Sequence, residues 1–468
     1  VVIRAVAQGL GLALVAGAGA CGQAEYLCIS DVECGEGQCT AAGYCGFVDD
    51  TCPSGLRYGD QADAELAGTC VPERDDDGTT TGGPSPQTSG ETSGETGGAE
   101  TVAVDDGPTT GEGTTGEGST GSETGAVYDC DTWWDPAFGF RRAVVVHAPA
   151  NGSPVEGFAA MVSLEPLADA MARADLADVR VLTDDCEPLP HEIEATQDES
   201  AGAVWFRAPS VGPDPVTLWL YYGNASAPDA SDRAAVWSEG FVGVWHFADV
   251  SDSTAEGHGL DPGPVALFAD GPIAQASVFD GVDDRWSRPP SPALTDLPDS
   301  GMTISAWVRP ESKGGFAVQH ILDKTTSASL SGFRFSVRQS MGQLELEVER
   351  GQDVDSRRAR TVGAPLMAGE WVHVAMTLDD ADPSSPRVYV GGLPQFVEIL
   401  ADGVGMPLSD VNVPMSVGGS AYNNNVFFDG RLDELRISSQ VRSADWVRAE
   451  YLSMTGGLVS LGAEETAP

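Results

Sequence analysis

The sequence predicts an all-β protein: two consecutive β-sandwich domains behind a disulfide-rich segment and a disordered linker. Three observations predict it. From Tyr128 almost to the end, short runs rich in Val, Ile, Phe, Trp and Tyr are separated by Gly, Pro, Asp and Ser turns, as antiparallel sandwiches require. No strand–helix–strand alternation occurs, which excludes a doubly wound parallel sheet. Ahead of this block, clustered cysteines give way to a long Thr/Gly/Ser/Glu tract with almost no apolar side chain.

Residues 1–20 read as a signal peptide rather than as part of the fold. Arg4 is the only charge ahead of the Ala/Gly-rich run from Ala5 to Ala20, which is shorter than the roughly 20 apolar residues a membrane span needs. The run ends in Ala18-Gly19-Ala20-Cys21, which resembles a bacterial lipobox, with Ala18 standing where Leu is usual. The resemblance implies cleavage before Cys21 and its acylation. Gly22 is not the Asp of an inner-membrane retention signal, so the expected destination is the outer membrane or cell surface, with plain secretion as the alternative.

Charge narrows the partners. With 25 Lys+Arg against 71 Asp+Glu the formal charge is −46, and the only lysines are Lys313 and Lys324. No cluster of cations exists to displace counterions from nucleic acid or to sit on an anionic lipid surface, so membrane contact is expected only through the anchor.

Of the nine cysteines, setting aside Cys21 leaves eight, and Cys28, Cys34, Cys39, Cys45, Cys52 and Cys70 crowd into residues 21–74. In an exported chain they read as three disulfides, with Cys130 and Cys186 as a fourth. Six cysteines allow fifteen pairings, so the connectivity stays open. A zinc cluster is disfavoured because there is no C-x-x-C pair and no nearby His. Residues 75–127 carry acids and no base, cannot bury enough surface to offset their ordering entropy, and serve as a spacer.

The strand runs divide at about residue 240. Residues 128–239 hold FRRAVVVH, DVRVLT, AVWFRA and VTLWLYYG; residues 240–468 hold FVGVWHF, MTISAWVRP, FRFSVR, LELEVE, EWVHVAMTL, RVYVGG and DELRIS. Helical signal is confined to LADAMARADLA, from Leu167, and SADWVRAEYL, from Ser443.

Trp133-Trp134, Phe140-Arg141-Arg142, Pro190-His191-Glu192-Ile193-Glu194, Val204-Trp205-Phe206 and Leu220-Tyr221-Tyr222-Gly223-Asn224 resemble an uncharacterised bacterial domain that precedes LamG-like modules. Seven ordered segments then resemble the LamG-like jelly roll of the concanavalin A-like fold. They include Gly243-Val244-Trp245-His246-Phe247, Phe279-Asp280-Gly281, Ile304-Ser305-Ala306-Trp307 and Asp429-Gly430-Arg431-Leu432-Asp433-Glu434-Leu435-Arg436-Ile437. That resemblance implies a jelly roll for residues 240–468, with carbohydrate or an extracellular protein as partner and Ca²⁺ as a possible ion.

Three sets of side chains carry candidate chemistry. Calcium prefers hard oxygen donors; the candidates are Asp252, Asp283 and Asp284, with Asp429 and Asp433 near the last long strand. Sugar recognition needs an exposed aromatic face flanked by hydrogen-bonding groups; Trp286 and the Tyr422-Asn423-Asn424 loop offer it. Strand alternation puts Glu345, Glu347 and Glu349 on one face, similar to the E-x-D-x-E catalytic strand of some jelly-roll glycosidases, but Glu347 replaces the Asp. The ordinary expectation for these three is a solvated face above Leu346 and Val348. His191-Glu192 lacks the second His of a zinc-protease motif, and His373 reads as structural. The expected function is therefore a surface module that binds a glycan or an extracellular protein. The alternatives are a polysaccharide hydrolase using Glu345 and Glu349, and an envelope protein without a dedicated ligand. The oligomeric state is open.

Overall fold

The computed structural model describes residues 38–39, 45–49, 51–59, 68–71, 132–147, 154–164, 167, 176–195, 202–262, 268–311, 318–326, 331–338, 342–349, 356–379, 381–382, 385–403 and 408–468. The expected signal peptide and Cys21, together with Cys28, Cys34, the expected linker and Cys130, lie outside these residues, as does most of the stretch after Leu167 expected to be helical.

In the cysteine-rich unit, β1 (Gln38–Cys39), β2 (Cys45–Val48) and β3 (Leu56–Tyr58) form an antiparallel sheet. Cys52 and Cys70 are joined by a disulfide across 18 residues, a cross-link worth about 3 kcal/mol through restriction of the unfolded chain. Cys45 and, in the second unit, Cys186 are also disulfide-bonded.

The second unit opens with β4 (Phe140–Val146), β5 (Val155–Ser163) and β6 (Arg180–Thr183). β7 (His191–Ala195), β8 (Gly202–Val211), β9 (Val216–Tyr222) and the one-turn helix α1 (Arg233–Val236) follow. The Asp232 carboxylate caps α1 by accepting from the Ala235 N–H at 3.1 Å. β4, β9 and β6 make one sheet, and β5, β8 and β7 the other. Val144, Phe158, Phe206, Leu218 and Leu220 fill the core between them.

The second sandwich begins with β10 (Phe241–Trp245), β11 (Phe268–Asp270), β12 (Gln275–Asp280) and β13 (Trp286–Arg288). After the short helix α2 (Leu297–Ser300) come β14 (Met302–Pro310), β15 (Gln319–Thr325), β16 (Gly332–Arg338) and β17 (Gln343–Glu349). Next are β18 (Arg357–Thr361), β19 (Val372–Leu378), β20 (Arg387–Val390) and β21 (Leu393–Gln395). β22 (Val397–Asp402), β23 (Met415–Val417) and β24 (Asp429–Ser438) complete it. An eight-stranded sheet runs β11-β12-β24-β14-β19-β20-β21 with β10 paired to β24, and a seven-stranded sheet runs β13-β23-β15-β16-β17-β18-β22. Alternate residues such as Ile304, Ala306, Phe333, Phe335, Leu344 and Leu346 pack between the sheets, each large one contributing about 1.5–3 kcal/mol by leaving water.

The chain then forms α3 (Ala444–Met454), capped by Ser443 Oγ accepting from the Trp446 N–H at 3.1 Å. It returns to the first sandwich. β25 (Val459–Leu461) and β26 (Glu465–Thr466) both pair with β4. The expected boundary, with residues 240–468 forming one domain, is corrected accordingly: the last strands complete the first sandwich. Val459 and Leu461 pack on its core, and Arg141 reaches Glu465 at 2.8 Å.

The two sandwiches form one body. β8 is buried on both faces, because Trp205 turns from its own core toward the outer side of the eight-stranded sheet. α3 fills the rest of that side: Trp446 meets Phe158 edge to face at 5.2 Å, and Tyr451 lies against Trp307.

A bulge decides what β24 shows to this interface. Ser305 faces Arg436 and Trp307 faces Asp433, so three steps on β24 oppose two on β14. Glu434 absorbs the extra residue at φ 51. Leu432 and Leu435 both stay in the core, and Asp433, Glu434 and Arg436 all leave it.

Candidate functional site

Two neighbouring crossovers bring the sugar and calcium candidates together. β12 leaves the eight-stranded sheet and β13 enters the seven-stranded one; β23 to β24 crosses back beside it. The connectors touch: Arg285 donates to the Ser420 carbonyl at 3.1 Å. One connector carries Asp280, Asp283 and Asp284, whose oxygens lie within 4.8 Å of one another. Asp429 faces Asp280 in the ladder at its base. Burial pushes the Asp284 carboxyl up, and the Asp280 charge adds to that. Burial acts the same way on Asp280, but N–H donors from Val282 and Asp283 prevail and hold it low. The other connector exposes Tyr422 by 52%, with Asn423 and Asn424 beside it. Asn423 Oδ1 accepts from the Asn425 N–H at 3.0 Å, which shapes the turn.

Three expectations fail on geometry. Trp286 is 2% exposed and packs edge-on against Phe247 and Phe268, so it is core and has no free face for a sugar. Asp252 is buried, with its lone pairs taken by the N–H groups of Val244, Thr254 and His258 and by the Thr254 hydroxyl. It organises the loop after β10 and has no capacity left for an ion. Asp433 does not join Asp429: the β24 bulge sends it into the interface between the sandwiches, where it is fully buried.

The β17 carboxylates share one face as expected, but that face is not solvated. Glu345, Glu347 and Glu349 are 5–8% exposed because arginines from both neighbouring strands cover them. Arg338 bonds Glu345 at 2.9 Å, and Arg334 bridges Glu347 and Glu349, both at 2.7 Å. Arg358 and Arg360 approach from β18. Burial raises the Glu349 carboxyl to about 7, against the pull of Arg334. A nucleophile and acid pair on a sugar would have to be freed from these guanidinium contacts.

A fourth set of side chains, absent from the sequence expectations as a group, sits between the sandwiches. β7 contributes Glu192 and Glu194, the residue after β10 is His246, and β24 adds Asp433, Glu434 and Arg436. His246 Nδ1 lies 2.6 Å from Glu434 Oε1 and 3.5 Å from Glu194 Oε2, and its Nε2 lies 3.3 Å from Glu192 Oε2. Each carboxylate is held in turn. Trp205 Nε1 donates to Glu194 at 2.8 Å, Trp237 Nε1 and Ser253 Oγ donate to Glu192 at 2.5 and 2.6 Å, and Arg436 donates to Glu434 at 2.5 Å. The Arg436 guanidinium stacks over the Trp205 and Trp237 rings. Burial pushes Glu194 and Asp433 well up, reinforced by the Glu434 charge. Burial also opposes ionisation of Glu192 and Glu434, but the His246 ring outweighs it and holds both low. Glu194 Oε1 is buried and finds no hydrogen-bond partner among the described residues. His373 is buried, with Nε2 3.1 Å from Glu450.

The signal for this cluster was present in part. Glu192 and Glu194 alternate on β7, placing both on one face. The bulge at Asp433-Glu434 has no signature in the composition of the strand.

Residues 283–448 match the concanavalin A-like lectin/glucanases superfamily, and residues 175–258 match a domain of unknown function, DUF2341. No curated protein matches the chain. Among solved structures the chain is similar to domain 4 of AbnA, an extracellular arabinanase from Geobacillus stearothermophilus, in complex with arabinotriose. The identity is 21%, over 45% of this chain and 97% of that one, with a TM-score of 0.33. It is also similar to the binding domain of Paraclostridial Mosquitocidal Protein 1, at 15% identity over 46% of this chain and 52% of that one, with a TM-score of 0.37. A third is the ligand-binding domain of Botulinum neurotoxin serotype D in complex with N-acetylneuraminic acid, at 11% identity, 47% and 52% coverage and a TM-score of 0.37. The chain spans about half the length of these two toxin domains. By the two family matches the chain is similar to the concanavalin A-like lectin/glucanases superfamily over residues 283–448 and, before it, to the DUF2341 domain over residues 175–258.

Proposed function

We propose that the chain is an exported surface protein, anchored through Cys21, whose second sandwich binds a glycan at the paired connectors. The observation that carries this reading is their adjacency. Arg285 ties the acidic connector to the one presenting Tyr422, Asn423 and Asn424. An exposed ring stacks on sugar C–H groups, amides bond hydroxyls, and acids beside them hold a hard cation. In this reading Asp280, Asp283 and Asp284 take Ca²⁺, with Asp429 at the base of the site.

The test is a glycan and matrix-protein array probed with and without chelator. Glycan binding is expected, weakened by chelation and reduced about tenfold in Tyr422→Ala, equivalent to about 1.4 kcal/mol. Signal confined to matrix proteins would move the partner to the protein class, and silence in every arm would leave the structural role. The hydrolase alternative predicts polysaccharide cleavage that disappears in Glu345→Gln and Glu349→Gln. The binding reading expects both variants to retain full glycan affinity.

A further inference from the structure

We infer that Glu194, His246 and Glu434 form a closed site for one divalent transition-metal ion of the zinc type, joining the two sandwiches. One nitrogen and two carboxylate donors, all within 4.8 Å of one another and all buried, converge from β7, the residue after β10, and β24. This site is separate from the exposed connectors and does not depend on the glycan reading.

Four observations support it beyond the cluster itself. His246 has the arrangement of a metal-bound imidazole: Nδ1 faces the two ligand carboxylates, and Nε2 faces Glu192, which Trp237 and Ser253 fix in place. Each ligand carboxylate is oriented by a further group, Glu194 by Trp205 and Glu434 by Arg436. Glu194 Oε1, without a partner among the described residues and with its residue 3% exposed, supplies the fourth donor if Glu194 binds through both oxygens. A dication also answers the charge, since Glu192, Glu194, Asp433 and Glu434 border a space beside which Arg436 is the only permanent cation among the described residues.

The distances favour a small ion. Donors around tetrahedral zinc, at about 2.0–2.1 Å from the metal, stand about 3.3 Å apart. The contact of Nδ1 with Glu194 is 3.5 Å, and its contact with Glu434 is 2.6 Å. The latter opens by about 0.7 Å when a metal replaces the proton between them. Calcium, which takes 6–8 oxygens at longer range, does not fit a compact set containing a nitrogen.

The full chain, produced in medium containing zinc, manganese and iron and purified without chelator, is expected to hold one ion per chain by mass spectrometry. Glu194→Gln and His246→Gln are expected to retain less than about a tenth of that. An Asp283→Asn/Asp284→Asn variant, which disables the exposed acids, should keep the ion. Cobalt exchanged into wild type should show the strong visible absorption of a tetrahedral centre. Folded wild type without metal, or equal metal in wild type and folded Glu194→Gln, overturns the assignment. If both ligand variants fail to fold, the wild-type arm decides: a metal-free protein, or a weak octahedral cobalt spectrum, overturns it.

Discussion

Lys324 lies in β15 with its ammonium 2.7 Å from Asp410 Oδ1 and a further bond to the Asp410 carbonyl, both side chains nearly inaccessible. Burial lowers the lysine and raises the acid, while each partner opposes the effect on the other. Removing one charge strands the other. Lys324→Met is expected to cost about 3–5 kcal/mol in urea unfolding, and adding Asp410→Asn should restore much of it. Glu349 offers a pH test. Its folded carboxyl titrates at about 7 against an ordinary value of 4.5, so folding is favoured by the protonated form. That stability is fully present below about 4.5 and fades as pH rises through about 7. Glu349→Gln should flatten the unfolding midpoint between pH 5 and 8. A slope equal to the wild type's would refute the assignment to this residue. At this scale the sequence was a mixed guide. It placed Tyr422, Asn423 and the Asp283-Asp284 pair on loops, because turn residues advertise themselves, but did not show the contact between the two loops. It misplaced Trp286, since the indole of a residue next to a polar loop can still point inward, and only the packing against Phe247 and Phe268 settles that.

Among the elements, strand identity in the second sandwich was legible because inward and outward residues alternate along strands such as β16 and β17. β17 illustrates both the success and its limit. Leu344, Leu346 and Val348 are core as the period demands, but the covering of its acids comes from Arg334 on β16 and Arg358 on β18, and register across strands is not written in one strand. β24 hides more, because its bulge breaks the period at Glu434. The tail is a second hidden element, since nothing in VSL or ET announces a partner more than 300 residues upstream. Removing residues 457–468 is expected to destabilise the first sandwich by about 2–4 kcal/mol through lost burial around Leu458 and Leu461. Hydrogen exchange should show β4 losing protection while β15 and β16 keep theirs.

For the whole two-sandwich unit, the interface surrounds its buried charged cluster with aromatic and apolar side chains: Trp205, Trp237, Phe241, Val244, Ile273 and Trp307 belong to one packed cluster. Calorimetry should therefore show the sandwiches melting in one transition rather than two. Trp237→Ala, expected to cost about 3–5 kcal/mol, should lower that single transition without splitting it. Two separate melting events would mean that the shared cluster does not couple the sandwiches.

The return of β25 and β26 to β4 bears on the order in which the chain can fold. Arg141 and Glu465 are 324 residues apart in sequence, so the first sandwich is a clasp whose second half is made long after the first. Contacts this distant form slowly and only after the intervening chain is out. Until β26 is delivered, β4 has one edge without its native partner. In the export reading proposed above, that delay keeps the chain pliable during passage through a translocation channel and lets it lock on arrival.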